Sequence, residues 1–172
     1  MAPTLHNVER IGSTMYALEV LPRSQQSERS RRWAAGSTSP TVRVPIASDT
    51  DIVVARQQGR AFAGAMHFSA TDSAFIATAV SELARALLAR TGRGEIWLHK
   101  VHENERSGVV IVARDPVARD GWHDVRRATA SIPKLPDVFR LVDEFDVVSD
   151  AGRGTTIRAT KWCRRPSRVI GG

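Results

Sequence analysis

The chain has 172 residues, of which 42% are hydrophobic and 25% are charged, and its formal net charge is +7. These values predict one globular domain with a sizeable core, and no apolar run approaches the roughly 18 residues that a membrane-spanning helix needs. The N-terminus lacks the basic and apolar segments of a secretory signal, so we expect a cytoplasmic protein without a membrane segment.

Residues 1–40 have the composition of an extension that is largely disordered. Arg23 to Pro40 is rich in Ser, Gln, Arg and Gly and has few side chains that could be buried. Met15 to Leu21 is apolar enough for one short strand or helical turn. We expect the folded domain over residues 41–165 and a flexible tail over residues 166–172.

The domain begins with a strand and a helix. Apolar residues alternate with other residues from Val42 to Ile46, which predicts a half-buried strand, and its proline indicates a sheet edge. Asp49 or Thr50 is a suitable N-cap for a helix that continues to about Met66. Val54 is expected on the apolar stripe of this helix.

A second helix is predicted from about Asp72 to Arg90. Thr71 can cap its start, and Gly92 can end it in the left-handed conformation. Its apolar stripe consists of Ile76, Val80, Leu83 and Leu87.

The rest of the domain predicts two hairpins and a short helix. The predicted segments are strands at Glu95 to Val101 and Gly108 to Arg114, a helix within Pro133 to Phe145, and strands at Phe145 to Ser149 and Thr155 to Trp162. This order predicts an α+β fold, a two-layer sandwich with a mixed, mostly antiparallel sheet and helices on one face.

Cysteine, histidine and charge patterns exclude some kinds of site. Cys163 is the only cysteine, so an internal disulfide and a cysteine-cluster metal site are excluded. His99 and His102 are three residues apart on a predicted strand, which directs them to opposite faces and argues against a shared metal. The arginines are scattered instead of forming one stripe, so a basic nucleic-acid-binding module is a minor alternative.

Five segments in a fixed order carry a resemblance to a known family. They are Asp51 to Arg60, Ala79 to Arg85, Thr91 to Ile96, Leu141 to Phe145 and Gly152 to Trp162. From Val42 to Arg164 the chain resembles RsbT-like anti-sigma serine kinases and switch proteins of the GHKL (Bergerat-fold) ATPase superfamily. The resemblance implies the histidine-kinase-like ATPase sandwich and, where the site still functions, ATP and magnesium as cofactors.

The resemblance assigns roles to two positions of the second helix. Glu82 matches the family's general base, and Ala86 stands where the family has an asparagine whose oxygen holds magnesium. Residues four apart share a helix face, so base and metal can meet at one site, but Ala86 offers no oxygen. The alternative for Glu82 is an ordinary helix glutamate that pairs with Arg85.

Further family positions are also altered. Asp115 matches the aspartate that contacts adenine, but Val117 and Arg119 replace the glycines that would follow it, and a turn residue is the alternative. The stretch before Leu135 contains no glycine, so the loop that would cap the triphosphate is shortened. Lys134 is a weak candidate for phosphate binding there.

The loss of several site features with retention of the fold predicts a catalytically impaired switch protein. The resemblance implies binding to a STAS-domain antagonist, a PPM-type serine phosphatase or another regulator in bacterial stress signalling. The alternative is an active serine kinase that phosphorylates a STAS-domain protein through Glu82 and Asp115. No cofactor is expected under the first hypothesis, and homodimer formation is left open.

Overall fold

The computed structural model describes residues 9–11, 14–16, 42–103, 105–115, 135–150 and 154–163. The chain divides into two compact units, Met1–Gly36 and Ser37–Gly172. In the first unit, β1 (Glu9–Ile11) pairs antiparallel with β2 (Thr14–Tyr16). This hairpin begins earlier than the single strand or turn expected at Met15 to Leu21. The predicted disordered stretch from residue 23 to 40 and the tail lie outside the described residues.

The second unit contains one sheet and the helices that pack on it. Its described elements are β3 (Val42–Ile46), α1 (Asp49–Ala65), α2 (Ala70–Thr91), β4 (Gly94–Glu103), β5 (Arg106–Asp115), α3 (Leu135–Phe139), β6 (Glu144–Asp150) and β7 (Gly154–Trp162). The strands lie in the order β3-β4-β5-β7-β6, and every neighbouring pair is antiparallel. The predicted fold class is confirmed, with strands slightly longer and α3 shorter than the sequence suggested.

A capping box begins α1. Ser48 is the N-cap, and the carboxylate of Asp51 accepts hydrogen bonds from the backbone N–H groups of Ala47 and Ser48 at 2.9 and 2.8 Å. The Ala47 bond, followed by one from the Ser48 hydroxyl, holds the pKa of the Asp51 carboxyl below its usual value. The prediction of Asp49 or Thr50 as the N-cap is wrong, because Asp51 lies three residues after Ser48 and completes the capping box with it.

The buried face of α1 is rotated from the predicted stripe. Its buried residues are Ile52, Ala55, Gly59 and Ala63, which recur at intervals of three and four. Val54 falls outside this row and is 41% exposed, so its predicted place in the core is wrong.

The two ends of α2 are capped by different means. The Ser69 hydroxyl accepts a hydrogen bond from the Asp72 backbone N–H at 3.0 Å, so Ser69, and not Thr71, is the N-cap. At the other end, Gly92 adopts a left-handed φ of 72° and donates its N–H to the Leu88 carbonyl, as predicted. The predicted apolar stripe is confirmed by the burial of Ile76, Val80, Leu83 and Leu87.

The core lies between α1 and α2 and one face of the sheet. The sheet contributes to it Ile96 and Leu98 from β4, Ile111 and Ala113 from β5, and Ile157 from β7. Strand alternation places His99 on the opposite face, where it is buried and stacks against Trp97. Burial, followed by the charge of Arg158, lowers the pKa of His99 to about 4.

Among the described helices, none is both long enough and apolar enough to cross a membrane.

Candidate functional site

One row of α2 carries the residues that the resemblance singled out. Glu82, Ala86 and Arg90 follow one another at intervals of four and therefore lie along the same side of the helix. Ala86 is only 6% exposed, and the side chain of Glu82 is 12% exposed. The row runs from a charged residue, past a buried methyl group, to a second charged residue of opposite sign.

The carboxylate of Glu82 already has a partner on its own helix. The Arg85 guanidinium donates a hydrogen bond to Glu82 Oε1, and the two side chains form an ion pair. This is the ordinary helix pairing that the sequence offered as the alternative to a catalytic role. Arg85 itself is exposed, whereas Glu82 is largely covered.

Asp115 is held at the end of the sheet beside α2. It is the last residue of β5, faces Thr155 of β7 in the strand register, and is 2% exposed. Its Oδ2 lies 3.4 Å from Arg90 Nε, which joins the last turn of α2 to the end of β5. The structure therefore places Asp115 in a strand and not in the turn that the sequence offered as an alternative.

A small recess lies between α2 and the sheet at this point. Its volume of about 10 Å³ corresponds to roughly one water molecule. Its walls are Ala86, Leu87, Arg90, Ala113, Asp115, Thr155 and Ile157. A buried carboxylate among apolar side chains requires N–H or O–H donors, and Arg90 Nε supplies one of them.

Other predicted site residues are only partly covered by the structure. Lys134 and the altered glycine positions 117 and 119 lie outside the described residues. Arg93, which follows the C-cap Gly92 of α2, is exposed. Within the described ranges, no group of three or more His, Cys, Asp or Glu residues is arranged to hold a metal ion.

Sequence reasoning did not single out Arg90. The sequence feature that could have identified it is its position four residues after Ala86, which continues the row that begins at Glu82. The contact with Asp115 spans 25 residues and depends on how α2 crosses the sheet, so no local pattern could identify it.

A second charge cluster, centred on a buried lysine, lies near the start of α2. Lys161 of β7 is buried, and its Nζ lies 3.0 Å from Asp143 Oδ1 and 3.9 Å from Asp72 Oδ1. Asp143 also accepts a hydrogen bond from the backbone N–H of Trp162 at 2.7 Å. These contacts join α2, β7 and the segment before β6, and the resemblance assigned no role to them.

The sequence comparison identifies the family. Serine/threonine-protein kinase RsbT of Bacillus subtilis (strain 168) is 40% identical over 130 residues, which make up 70% of this chain and 96% of that protein. The chain belongs to the RsbT family. The resemblance drawn from the five sequence segments is therefore confirmed, and α2 is the RsbT-family helix that carries Glu82 and Ala86.

A structural comparison gives a similar protein of lower identity. The crystal structure of the RsbU and RsbW domains of Rv1364c from Mycobacterium tuberculosis is 20% identical, with a TM-score of 0.49. The match covers 77% of the RsbT-family chain described here and 35% of that chain. No protein-family model matches the sequence.

Proposed function

We propose that this RsbT-family chain is a partner-switching regulator of the anti-sigma, stress-signalling type, and that its phosphoryl-transfer site is impaired. Ala86 carries the proposal. Phosphoryl transfer from ATP relies on magnesium across the phosphates, and magnesium binds oxygen ligands. A buried methyl group at the position of the family's metal ligand cannot supply one.

The contact of Glu82 supports the same proposal. A general base must reach the hydroxyl whose proton it accepts. Here one oxygen of Glu82 accepts a hydrogen bond from Arg85, so a substrate hydroxyl would have to compete with this guanidinium. The altered metal position and the occupied carboxylate lie on adjacent turns of α2 and would both impair transfer.

The outer side of α1 is the surface that we assign to partner binding. Val53 and Val54 are 54% and 41% exposed, and exposed aliphatic side chains of this size contribute to protein interfaces. Arg56 and Arg60 are also exposed and share a helix face with Val53. A partner with an apolar centre surrounded by carboxylates would fit this surface, which we call the α1 surface.

The family resemblance indicates which partners to test. A STAS-domain antagonist and a PPM-type serine phosphatase are the proteins implied, and both would meet this chain in the cytoplasm. Binding to either protein requires an intact folded surface but no nucleotide site, which agrees with the retained core and the altered Ala86 position.

Titration calorimetry with magnesium-ATP tests the impaired site. We expect no binding by the natural protein, and Ala86→Asn serves as the variant that restores an oxygen at the metal position. Micromolar binding by the natural protein, followed by transfer of labelled phosphate to a STAS-domain protein, would overturn the proposal. That result would favour the active-kinase alternative, with Glu82 as base.

Partner binding is tested without nucleotide. The purified natural protein is titrated with the STAS-domain protein and the PPM-type phosphatase of the same organism. We expect Arg60→Glu to weaken binding by about tenfold or more, because it reverses a charge on the α1 surface. Arg106→Glu is the control, since Arg106 is exposed on β5 and lies outside that surface. Failure of the natural protein to bind either partner would contradict the assignment.

A further inference from the structure

The outer side of α1 lacks charge where an exposed helix usually carries it. Opposite the buried row of α1, Thr50, Val54, Gln57 and Ala61 recur at intervals of three and four. All four are exposed, and none is charged. Val53 lies beside this row and is 54% exposed. An uncharged row with two large exposed aliphatic side chains is typical of a helix that packs against another protein surface.

Two opposite charges lie on one flank of this row. Asp49 and Arg60 are eleven residues apart, which is about three helical turns, so they share one side of α1. Both are exposed, and within the described ranges neither side chain has an ion-pair or hydrogen-bond partner. The helix therefore presents one carboxylate and one guanidinium, separated by three turns, to another molecule.

Arg56 adds a second positive charge one turn before Arg60. Like charges four residues apart repel each other on a helix surface. No acidic residue lies three or four positions from either arginine, so neighbouring turns of α1 cannot neutralise them. A carboxylate from outside the helix would relieve this repulsion.

An antiparallel pair of α1 helices from two copies of the chain satisfies these charges. A two-fold axis between the helices brings the same flank of each together in reverse order. With the axis at the level of Val54, Asp49 of one copy lies opposite Arg60 of the other, and the reciprocal pair forms as well. Arg56 then lies within one turn of the same carboxylate. The valines are covered at the centre, and the charges pair towards the two ends.

The length of α1 sets the strength expected of this pair. The helix has 17 residues and is about 25 Å long. Contact along one helix of this length gives an interface at the small end of the range for specific complexes, where binding is weak and reversible. A pair of this kind can dissociate when another protein binds the same surface.

We propose that the α1 surface, together with Asp49, binds a second copy of the chain as an antiparallel, two-fold helix pair, and that a partner protein displaces this copy. The displacement rests on the proposed function, which assigns the same surface to partner binding. Self-association keeps the exposed valines covered until a partner is present.

Sedimentation velocity of the natural protein, without nucleotide or partner, tests the pair. We expect a monomer–dimer equilibrium in which the dimer fraction rises with protein concentration. Asp49→Arg and Arg60→Asp should each weaken the dimer by about tenfold or more, because like charges then face each other at both ends of the pair. An equal mixture of the two variants should associate as the natural protein does, since their reversed charges complement each other.

Three results would overturn the proposal. They are a natural protein that stays monomeric at every concentration, single variants that dimerise like the natural protein, and a mixture of folded variants that does not associate. Arg106→Asp is the matched control, because it reverses an exposed arginine of β5 outside the α1 surface, and it should dimerise like the natural protein.

A second variant keeps the test decisive if Asp49→Arg does not fold, which circular dichroism shows. Val54→Glu changes an exposed side chain, so the core stays intact. It places two carboxylates together at the two-fold axis, and the variant should be monomeric. Dimerisation of Val54→Glu with the affinity of the natural protein would contradict the helix pair.

Displacement is tested by adding the STAS-domain protein or the PPM-type phosphatase to the dimer. We expect a complex that contains one copy of each chain, and a complex with an intact dimer would overturn the displacement. The two proposals can fail separately. A natural chain that binds its partner but stays monomeric would overturn the helix pair alone, whereas a dimer that binds neither partner would overturn the proposed function alone.

Discussion

The two ends of α2 are each joined to the sheet by ion pairs, but in different ways. At the first end, the cation is Lys161 of the sheet, and it lies between Asp72 of α2 and Asp143. At the second end, the cation is Arg90 of the helix, and it meets the sheet carboxylate of Asp115. One end thus places a single cation between two carboxylates, and the other places a partly exposed guanidinium beside a recess.

This difference indicates which end is structural. Lys161 is buried, and its Nζ lies 5.8 Å from the centre of the Phe75 ring. Arg90 is more exposed than Lys161 and has a longer contact, so its guanidinium loses less of its hydration when the protein folds. The first end should therefore contribute mainly to stability and the second mainly to what the site can bind.

Loss of Lys161 should produce the largest effect. Lys161→Met leaves the buried Asp72 and the half-covered Asp143 without their shared cation, which typically destabilises a protein by about 3–5 kcal/mol. Urea denaturation measures the free energy of unfolding. Lys100→Met is the control, because Lys100 is an exposed lysine on β4, which β5 separates from β7 in the sheet. A loss of unfolding free energy below about 1 kcal/mol would show that the Lys161 contacts at the first end contribute little to stability.

The stability of the protein should depend on pH through His99, which is buried on β4. The pKa of His99 in the folded state is about 4, below its ordinary value of 6.5. The unfolded chain therefore takes up a proton first as the pH falls, and stability is lost between pH 6.5 and about 4. This difference corresponds to at most about 3 kcal/mol, and the stabilisation is fully present above pH 6.5.

Replacement of His99 by glutamine should remove this pH dependence. Chemical denaturation at several pH values between 4 and 7 measures it, and His102→Gln is the control because His102 is exposed on the same strand. Any loss of stability in acid that remains in His99→Gln can then be assigned to other groups. An unchanged pH profile in His99→Gln would show that this histidine is not held neutral by the fold.

Much of the fold was predictable because its signals are local. The alternation in Val42–Ile46 and the apolar stripe of α2 identify elements from neighbouring residues alone. Errors arose where local signals compete. Ser48, Asp49 and Thr50 can all cap a helix, and only Asp51 three residues after Ser48 decides between them.

From the sequence, only those contacts of the site that lie within one helix could be predicted. The pair of Glu82 and Arg85 follows from spacing on one helix. The contacts of Arg90 with Asp115 and of Lys161 with Asp72 depend on which strand each helix end crosses. A lysine in a strand is usually expected at the surface, so nothing in the sequence indicated that Lys161 would be buried.

Packing at the second end can be tested at Gly94, the first residue of β4. A Cβ atom there would lie 2.9 Å from the Arg114 carbonyl oxygen and from Leu87 Cδ1 of α2. We expect Gly94→Ala to reduce the free energy of unfolding by about 1–3 kcal/mol. Gly64→Ala is the matched control, because nothing lies within 4 Å of its Cβ position and alanine favours a helix by roughly 0.5–1 kcal/mol. Destabilisation of equal size in both variants would contradict close packing at the second end.

The caps of α2 should show the smallest and most nearly equal effects. Ser69→Ala removes the acceptor of the Asp72 N–H bond, and Gly92→Ala forces a side chain into the left-handed conformation. Each change should destabilise the protein by about 1 kcal/mol, measured by urea denaturation. Equal effects would mean that the two caps contribute equally to stability. The difference between the Lys161 end and the Arg90 end would then come from the side-chain ion pairs. If Gly92→Ala destabilised the protein more than Lys161→Met does, the comparison would be reversed. The second end of α2 would then contribute more to stability than the first.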